Sequence, residues 1–135
     1  MEFIHNPTNG VHFAVQKMAH EVGYAYHCPH SYLSIHPVYG TWFAFRAVIL
    51  IDEDIPLVKS AHLKHPCPEA GLKMIEATNA LLKNPQRATW QDWLSVRDYC
   101  TIGRDKKYSE EQILYHYTGN RLILKNIVER VRKNK

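Results

Sequence analysis

Val11, Val15, Met18, Val22 and Tyr26 recur at steps of four, three, four and four, the period of one helical face. Asn6-Pro7-Thr8-Asn9 supplies turn and capping chemistry in front of them, and Pro29 disfavours helix just before it. The pattern predicts a helix over residues 8–27. The period then changes. Tyr32-Leu33-Ser34-Ile35 alternates, His36-Pro37-Val38-Tyr39-Gly40 carries turn residues, and Trp42 to Ile51 is apolar except for Arg46. This predicts a β-hairpin whose long second strand is buried on both faces, ended by Asp52, Glu53, Asp54 and Pro56.

Residues 57–67 read as loop. Ala70 to Leu82 combines helix formers with apolar positions at Leu72, Ile75 and Leu82, and stops at Asn84-Pro85. Thr89 to Val96 predicts a short helix carrying Trp90 and Trp93. Ser109-Glu110-Glu111-Gln112 has the cap-and-acid signature of a helix start, running to Tyr117. Arg121 to Arg132 predicts the last helix, apolar at Leu124, Ile127, Val128 and Val131. With no repeat and no linker, the chain reads as a single α+β domain over residues 1–135. A two-stranded hairpin is an unfinished sheet, and so apolar a second strand is unsuited to an open edge. Either a homodimer forms through it or further strands belong to a larger domain.

Composition narrows the class. Of 135 residues, 45% are apolar and 22% charged, with only six glycines and seven prolines, which excludes disordered and collagen-like chains. No run reaches the roughly 18 apolar residues of a membrane helix, and residues 1–7 lack the basic and apolar segments of a leader. The expectation is a cytoplasmic protein without a membrane partner. The net charge of +4 is uneven: Arg121, Lys125, Arg130, Arg132, Lys133 and Lys135 stand against Glu129 alone. No aromatics interleave with them, so the basic helix reads as a solvated face rather than a nucleic-acid surface.

Three cysteines, Cys28, Cys67 and Cys100, are odd in number and widely spaced, so no disulfide framework is expected. His27-Cys28-x-His30 and His62-x-x-His65-x-Cys67 bring zinc-ligand types together without a standard finger spacing, and no metal is expected. His20, beside the apolar face of the first helix, reads as a structural histidine. Nucleotide-binding glycine loops, a nucleophile elbow and HExxH are all absent. Arg46 is the informative residue. A guanidinium in the middle of an apolar strand needs a partner, either Asp52, Asp54 or Asp98 in a structural pair or a ligand anion held in its fork. Arg97 adjoins Asp98 and reads as one half of a surface pair. Arg121 opens the last helix, where its charge opposes the helix dipole and calls for some other partner.

Ile35-His36-Pro37-Val38-Tyr39-Gly40-Thr41-Trp42-Phe43-Ala44-Phe45-Arg46 resembles the Ile-His-Pro-x-aromatic-Gly-x-Trp-Phe-Ala-x-Arg hairpin of the CblC family. These are vitamin B12 processing enzymes, cyanocobalamin reductase (cyanide-eliminating) and alkylcobalamin dealkylase. Three more blocks follow the family's order: Gln16-x-x-Ala19-His20-x-x-Gly23, Trp90-x-Asp92-Trp93 with Arg97-Asp98, and Tyr108-Ser109-Glu110-Glu111-Gln112 with Arg121-Leu122. The resemblance spans nearly the whole chain but only the C-terminal part of the family's domain. It implies a nitroreductase-like (flavin reductase-like) α+β fold. The loop after the first helix is short here, Cys28 to His30, and a family glycine on the first hairpin strand is Tyr32.

The resemblance also implies the chemistry. Cobalamin is bound with its nucleotide tail off the cobalt and no protein ligand in its place, in keeping with a chain that lacks Asp-x-His-x-x-Gly. Weakening the lower axial bond makes the cobalt easier to reduce. Cyanide is removed reductively with a reduced flavin, FAD or FMN, and alkyl groups pass to the glutathione thiolate, with no side chain acting as acid or base. The product goes on to a downstream cobalamin-trafficking protein. Glutathione's carboxylates fall to Arg46, Arg97 and Arg121. Cobalamin contacts fall to Phe13, Ala14, Val15 and Gln16 on the first helix, to His27, and to Ser31, Ser34 and Phe45. The alternative is a non-catalytic cobalamin-binding or trafficking fragment lacking the flavin-binding half.

Overall fold

The computed structural model describes residues 2–3, 13–49, 51–54, 56 and 63–133. The first helix is shorter than its apolar period predicts. α1 spans Val15–Glu21; Thr8 to His12, with Val11, lie outside the described residues. Phe13 and Ala14 form the turn before α1 rather than its first turn. At the other end Gly23 takes a left-handed φ of 72°, its N–H closes on His20 O at 3.0 Å, and the chain leaves the helix there. Tyr26 therefore does not complete the apolar face; it enters a strand.

That strand, β2 (Tyr26–His27), pairs antiparallel with β3 (Ser34–Ile35) in the register Tyr26↔Ile35 and His27↔Ser34. The expected hairpin of 32–35 with 42–51 does not form. Residues 36–40 close on themselves instead, with reciprocal His36 and Gly40 backbone bonds of 2.8 and 2.9 Å. The His36 ring fixes the turn by accepting the Val38 and Tyr39 N–H groups at Nδ1. Beyond it the chain is held by α3 rather than by a strand: Arg97 donates to Thr41 O, and the Thr41 hydroxyl donates to Arg97 O at 3.2 Å. Residues 42–46 make no ladder. Only β4 (Ala47–Val48) does, antiparallel to β1 (Glu2–Phe3). Nor is the apolar run buried on both faces, since Ile49 and Ile51 are 63% and 61% exposed.

The helices start and stop at their local signals, but the apolar faces expected of residues 70–82 at Leu72 and Leu82 and of residues 121–132 at Leu124, Val128 and Val131 are exposed. α2 (Pro68–Lys83) starts with proline, whose missing N–H is harmless in a first turn. α3 (Trp90–Asp98) opens on a capping box of Thr89 and Asp92, a 3₁₀ turn covers Arg104–Lys106, and α4 (Glu110–Thr118) opens on a second box of Ser109 and Gln112. Gly119, left-handed at φ 63°, separates α4 from α5 (Arg121–Lys133). Arg130 of α5 forks onto Glu111 of α4 at 2.9 and 2.5 Å, which lowers the Glu111 pKa.

The core sits between α2, α3 and the β2–β3 pair: Ile35, Cys67, Met74, Val96 and Cys100, with Tyr26, Leu33 and Ile102 packed against it. The Gly40 and Gly103 turns interlock above it. A Cβ on Gly40 would lie 2.0 Å from Ile102 O, and one on Gly103 would lie 2.4 Å from the Tyr39 carbonyl. Mixed helices and short antiparallel strands make the chain α+β. Among the described residues no helix is long and apolar enough to cross a membrane.

Candidate functional site

The stretch 43–46, free of any ladder, forms the floor of a groove. Val15 and Gln16 of α1 stand on one side, and Arg97 of α3, Tyr108 and His116 of α4 on the other, enclosing a cavity of about 420 Å³. Smaller and larger hollows continue it through shared walls. One of about 290 Å³ reaches Ser34, Thr41 and Tyr117, one of about 330 Å³ reaches Leu124 and Ile127 of α5, and one of about 460 Å³ runs under Met18 and Val22. Arg46 lines three of the four hollows. None of the described residues lining the central cavity is acidic, while two are arginines. Apolar walls come from Phe43 and Phe45, packed edge to face at 5.1 Å.

Gln16 is fixed by the turn opposite it. Its Nε2 donates to Tyr32 O at 2.9 Å and to Ser34 Oγ at 3.2 Å. Tyr32 holds a left-handed φ of 58°, a conformation that glycine adopts far more readily. Arg97 is fixed from below. Its guanidinium lies 4.5 Å over the Trp42 ring and 6.0 Å from the Tyr108 ring, and one arm is taken by Thr41 O. A cation on the last turn of a helix is also favoured by the dipole.

Asp98 does not pair with either arginine. Lys107 takes it at 2.7 and 2.8 Å. Arg46, expected in the core, is exposed on the groove floor, because the segment carrying it is covered on one side only. The structure thus brings Gln16, Phe45, Arg46 and Arg97 to one cavity, with Val15 beside them and Ser34 adjoining. Arg121 is exposed at the start of α5 and is not among the lining residues.

His27 and Ser31 stand on β2 and in the turn after it, away from the central cavity lining. Their His27 Nδ1 and Ser31 Oγ are buried without a hydrogen-bond partner, a state that costs about 1–3 kcal/mol per group until something fills it. Burial, with the charges of His20 and Lys17, holds the His27 pKa below its ordinary value. The His20 ring accepts the His27 N–H at Nδ1, 3.3 Å away. Among the described residues no three His, Cys, Asp or Glu side chains come together around a metal position; His62 lies outside them.

Sequence reasoning assigned no role to Tyr108, His116 or Tyr117. Tyr108 begins a recognised block, and His116 stands four residues after Gln112 on the same face of α4, so helical spacing marks which residues share that face. What spacing does not give is the docking of α4 beside Arg46.

A family model matches residues 8–124 of this chain: the methylmalonic aciduria and homocystinuria type C (MMACHC) family. No curated protein and no solved structure matches it. The matched span contains every arginine, aromatic and polar residue of the groove named above. With 117 of 135 positions inside that span, the chain belongs to the methylmalonic aciduria and homocystinuria type C family, the cobalamin-processing family of vitamin B12 metabolism that its hairpin motif resembles.

Proposed function

We propose that the chain binds cobalamin in the groove between α1 and residues 43–46 and transfers its upper-axial alkyl group to glutathione. One observation carries this reading: Gln16, Phe45, Arg46 and Arg97, from separate parts of the sequence, line one cavity whose described lining has cations and no acid. Arg46 and Arg97 hold glutathione's carboxylates, bidentate pairing being what guanidinium offers them. The thiolate sulfur then attacks the alkyl carbon. A C–S bond forms as the Co–C bond breaks, and the bond pair stays with cobalt, leaving cob(I)alamin and the thioether. No side chain need act as acid or base. Arg121 is the third cation of the clamp on the resemblance alone.

Phe13, Ala14, Val15, Gln16, His27, Ser31, Ser34 and Phe45 form the cobalamin contacts; Val15, Gln16 and Phe45 line the cavity and Ser34 adjoins it, while His27 and Ser31 rest on the resemblance alone. Reductive removal of cyanide, with electrons from reduced FAD or FMN, is the companion reaction; no residue of the groove is assigned to the flavin. The proposal sets this activity in the cytoplasm, upstream of a cobalamin-trafficking protein, on a single domain that forms part of a nitroreductase-like fold and is able to pair as a homodimer.

The test is anaerobic incubation with methylcobalamin and glutathione. The expected result is a base-off spectrum on binding, followed by cob(I)alamin and S-methylglutathione in equal amounts. A base-on spectrum unchanged at saturating protein removes the corrinoid site. Base-off binding without S-methylglutathione leaves a cobalamin carrier.

A further inference from the structure

Away from the groove, Cys67 and Cys100 meet sulfur to sulfur. Cys67 is the N-cap of α2 and Cys100 lies two residues past α3, yet their Sγ atoms are 3.3 Å apart. Cys100 is fully buried, whereas Cys67 keeps 9% of its surface and lines a separate cavity of about 300 Å³ with Pro66, Glu69, Thr101 and Ile102. Cys28, the third thiol, is buried in the turn after β2. Of the pair, Cys67 is the one that borders a cavity, and the Cys100 sulfur lies in contact with that of Cys67.

We propose that Cys67 and Cys100 are a reversible redox pair, closed to a disulfide by a low-molecular-weight disulfide that enters at the Cys67 cavity. Cys67 gives its proton to solvent and its thiolate attacks one sulfur of the small molecule. The small S–S bond breaks, one small thiolate leaves and takes up a proton, and Cys67 carries a mixed disulfide. Cys100 then loses its proton, attacks the Cys67 sulfur and expels the second small thiol. Two protein thiols are oxidised and one small disulfide is reduced to two thiols.

The order of attack follows from the surroundings. Burial, and then the contact with Cys67, push the Cys100 thiol up to about 12, so it is a poor first nucleophile. Once Cys67 is modified, proximity supplies what basicity withholds. Closing the sulfurs to bond length asks for a movement of about 1 Å. The bond ties the start of α2 to the end of α3, where Cys100 N–H already donates to Arg97 O at 3.2 Å.

The full chain is equilibrated at graded ratios of glutathione to glutathione disulfide, quenched with acid, alkylated and mapped by mass spectrometry. The expected product is a single disulfide joining Cys67 and Cys100, with Cys28 alkylated. The thermal midpoint should rise by roughly 10 °C, and excess thiol should reverse both changes. Cys100→Ser should stop at a stable glutathione adduct on Cys67, and Cys67→Ser should leave Cys100 reduced. A lasting adduct on Cys67 of the parent, pairing through Cys28, or three alkylated thiols across the whole series would overturn the proposal. The parent's map decides this even where a variant fails to fold.

Discussion

Arg97 and Arg46 face the same cavity from opposite kinds of ground. Arg97 belongs to a capped helix whose neighbours Val96 and Cys100 are core residues; it is stacked on Trp42, itself 3% exposed, and bonded to the chain at Thr41. Arg46 stands on an extended stretch with no ladder, near exposed Met18, Val22 and Ile49. One guanidinium is built into the fold and the other is presented by it. A site of this kind has a fixed wall and an open one. Ligand contacts at the open wall are the ones free to change without unfolding the protein.

The fixed wall breaks most readily at its interlocked turns. Gly40→Ala adds a Cβ at 2.0 Å from Ile102 O while φ stays at 56°. Overpacking against backbone and a left-handed alanine together should cost at least ~3 kcal/mol. Urea unfolding should show a lower midpoint with an unchanged slope. A midpoint within error of the parent would mean the turns do not interlock.

The two arginines separate next. Arg97→Gln should weaken glutathione binding roughly ten- to a hundredfold, a loss of about 1.5–3 kcal/mol. It should also destabilise the fold by about 1–2 kcal/mol, because the Trp42 stack and the Thr41 bond go with it. Arg46→Gln should show a similar loss of binding and no measurable loss of stability. Calorimetric titration with glutathione, beside thermal unfolding of each variant, checks both. Equal destabilisation by the two changes would erase the contrast.

The same contrast explains what the sequence discloses. α3 and α4 are legible because Thr89 with Asp92 and Ser109 with Gln112 are local signals, complete within four residues. The core face of α2 is not: the apolar spacing of Leu72, Ile75 and Leu82 points to one face, whereas the helix buries Gly71, Met74 and Thr78 and leaves Leu72 70% exposed. Nor is the stretch 42–51, because an apolar run says nothing about which strand will cover it. Its pairing partner lies at residues 2–3, and its start is captured by Arg97, more than fifty residues later. Arg46 reads as buried only if two strands flank it. The arginines stand out by their sequence surroundings, and their glutathione role, like Gln16's place in the site, comes from the family motifs, whereas His116 enters the site by the docking of α4, a long-range event with no local signature.

Helix capping on the fixed wall gives a smaller effect with a pH signature. The Thr89 hydroxyl and backbone bonds lower the Asp92 pKa. A folded pKa below the unfolded one contributes stability that is present above the unfolded value, near pH 4, and lost as pH falls through the folded value. Thr89→Ala should cost about 1 kcal/mol at neutral pH. The deficit should shrink in acid, where Asp92 is protonated in both proteins. Thermal midpoints from pH 7 down to pH 2 measure this, and a deficit constant with pH would mean that the carboxylate takes no part in the cap.

The smallest effect is expected at Tyr32, in the turn whose carbonyl holds the Gln16 side chain. Its side chain is 61% exposed and its φ is 58°, so little packing is lost on truncation. Tyr32→Gly removes a left-handed strain of about 1–2 kcal/mol and adds a backbone entropy cost of about 0.5–1 kcal/mol. The two nearly cancel, and the variant should be equal to the parent or more stable by less than about 1 kcal/mol. Its carbonyl should still accept the Gln16 side chain, so base-off cobalamin binding should persist. Tyr32→Val, β-branched and ill-suited to a positive φ, should instead lose stability and turn that carbonyl away from Gln16. The two variants together separate backbone conformation from side chain. If Tyr32→Gly were as damaging as Gly40→Ala, the tyrosine ring would be holding the turn, and Gln16 would rest on ground as fixed as that of Arg97.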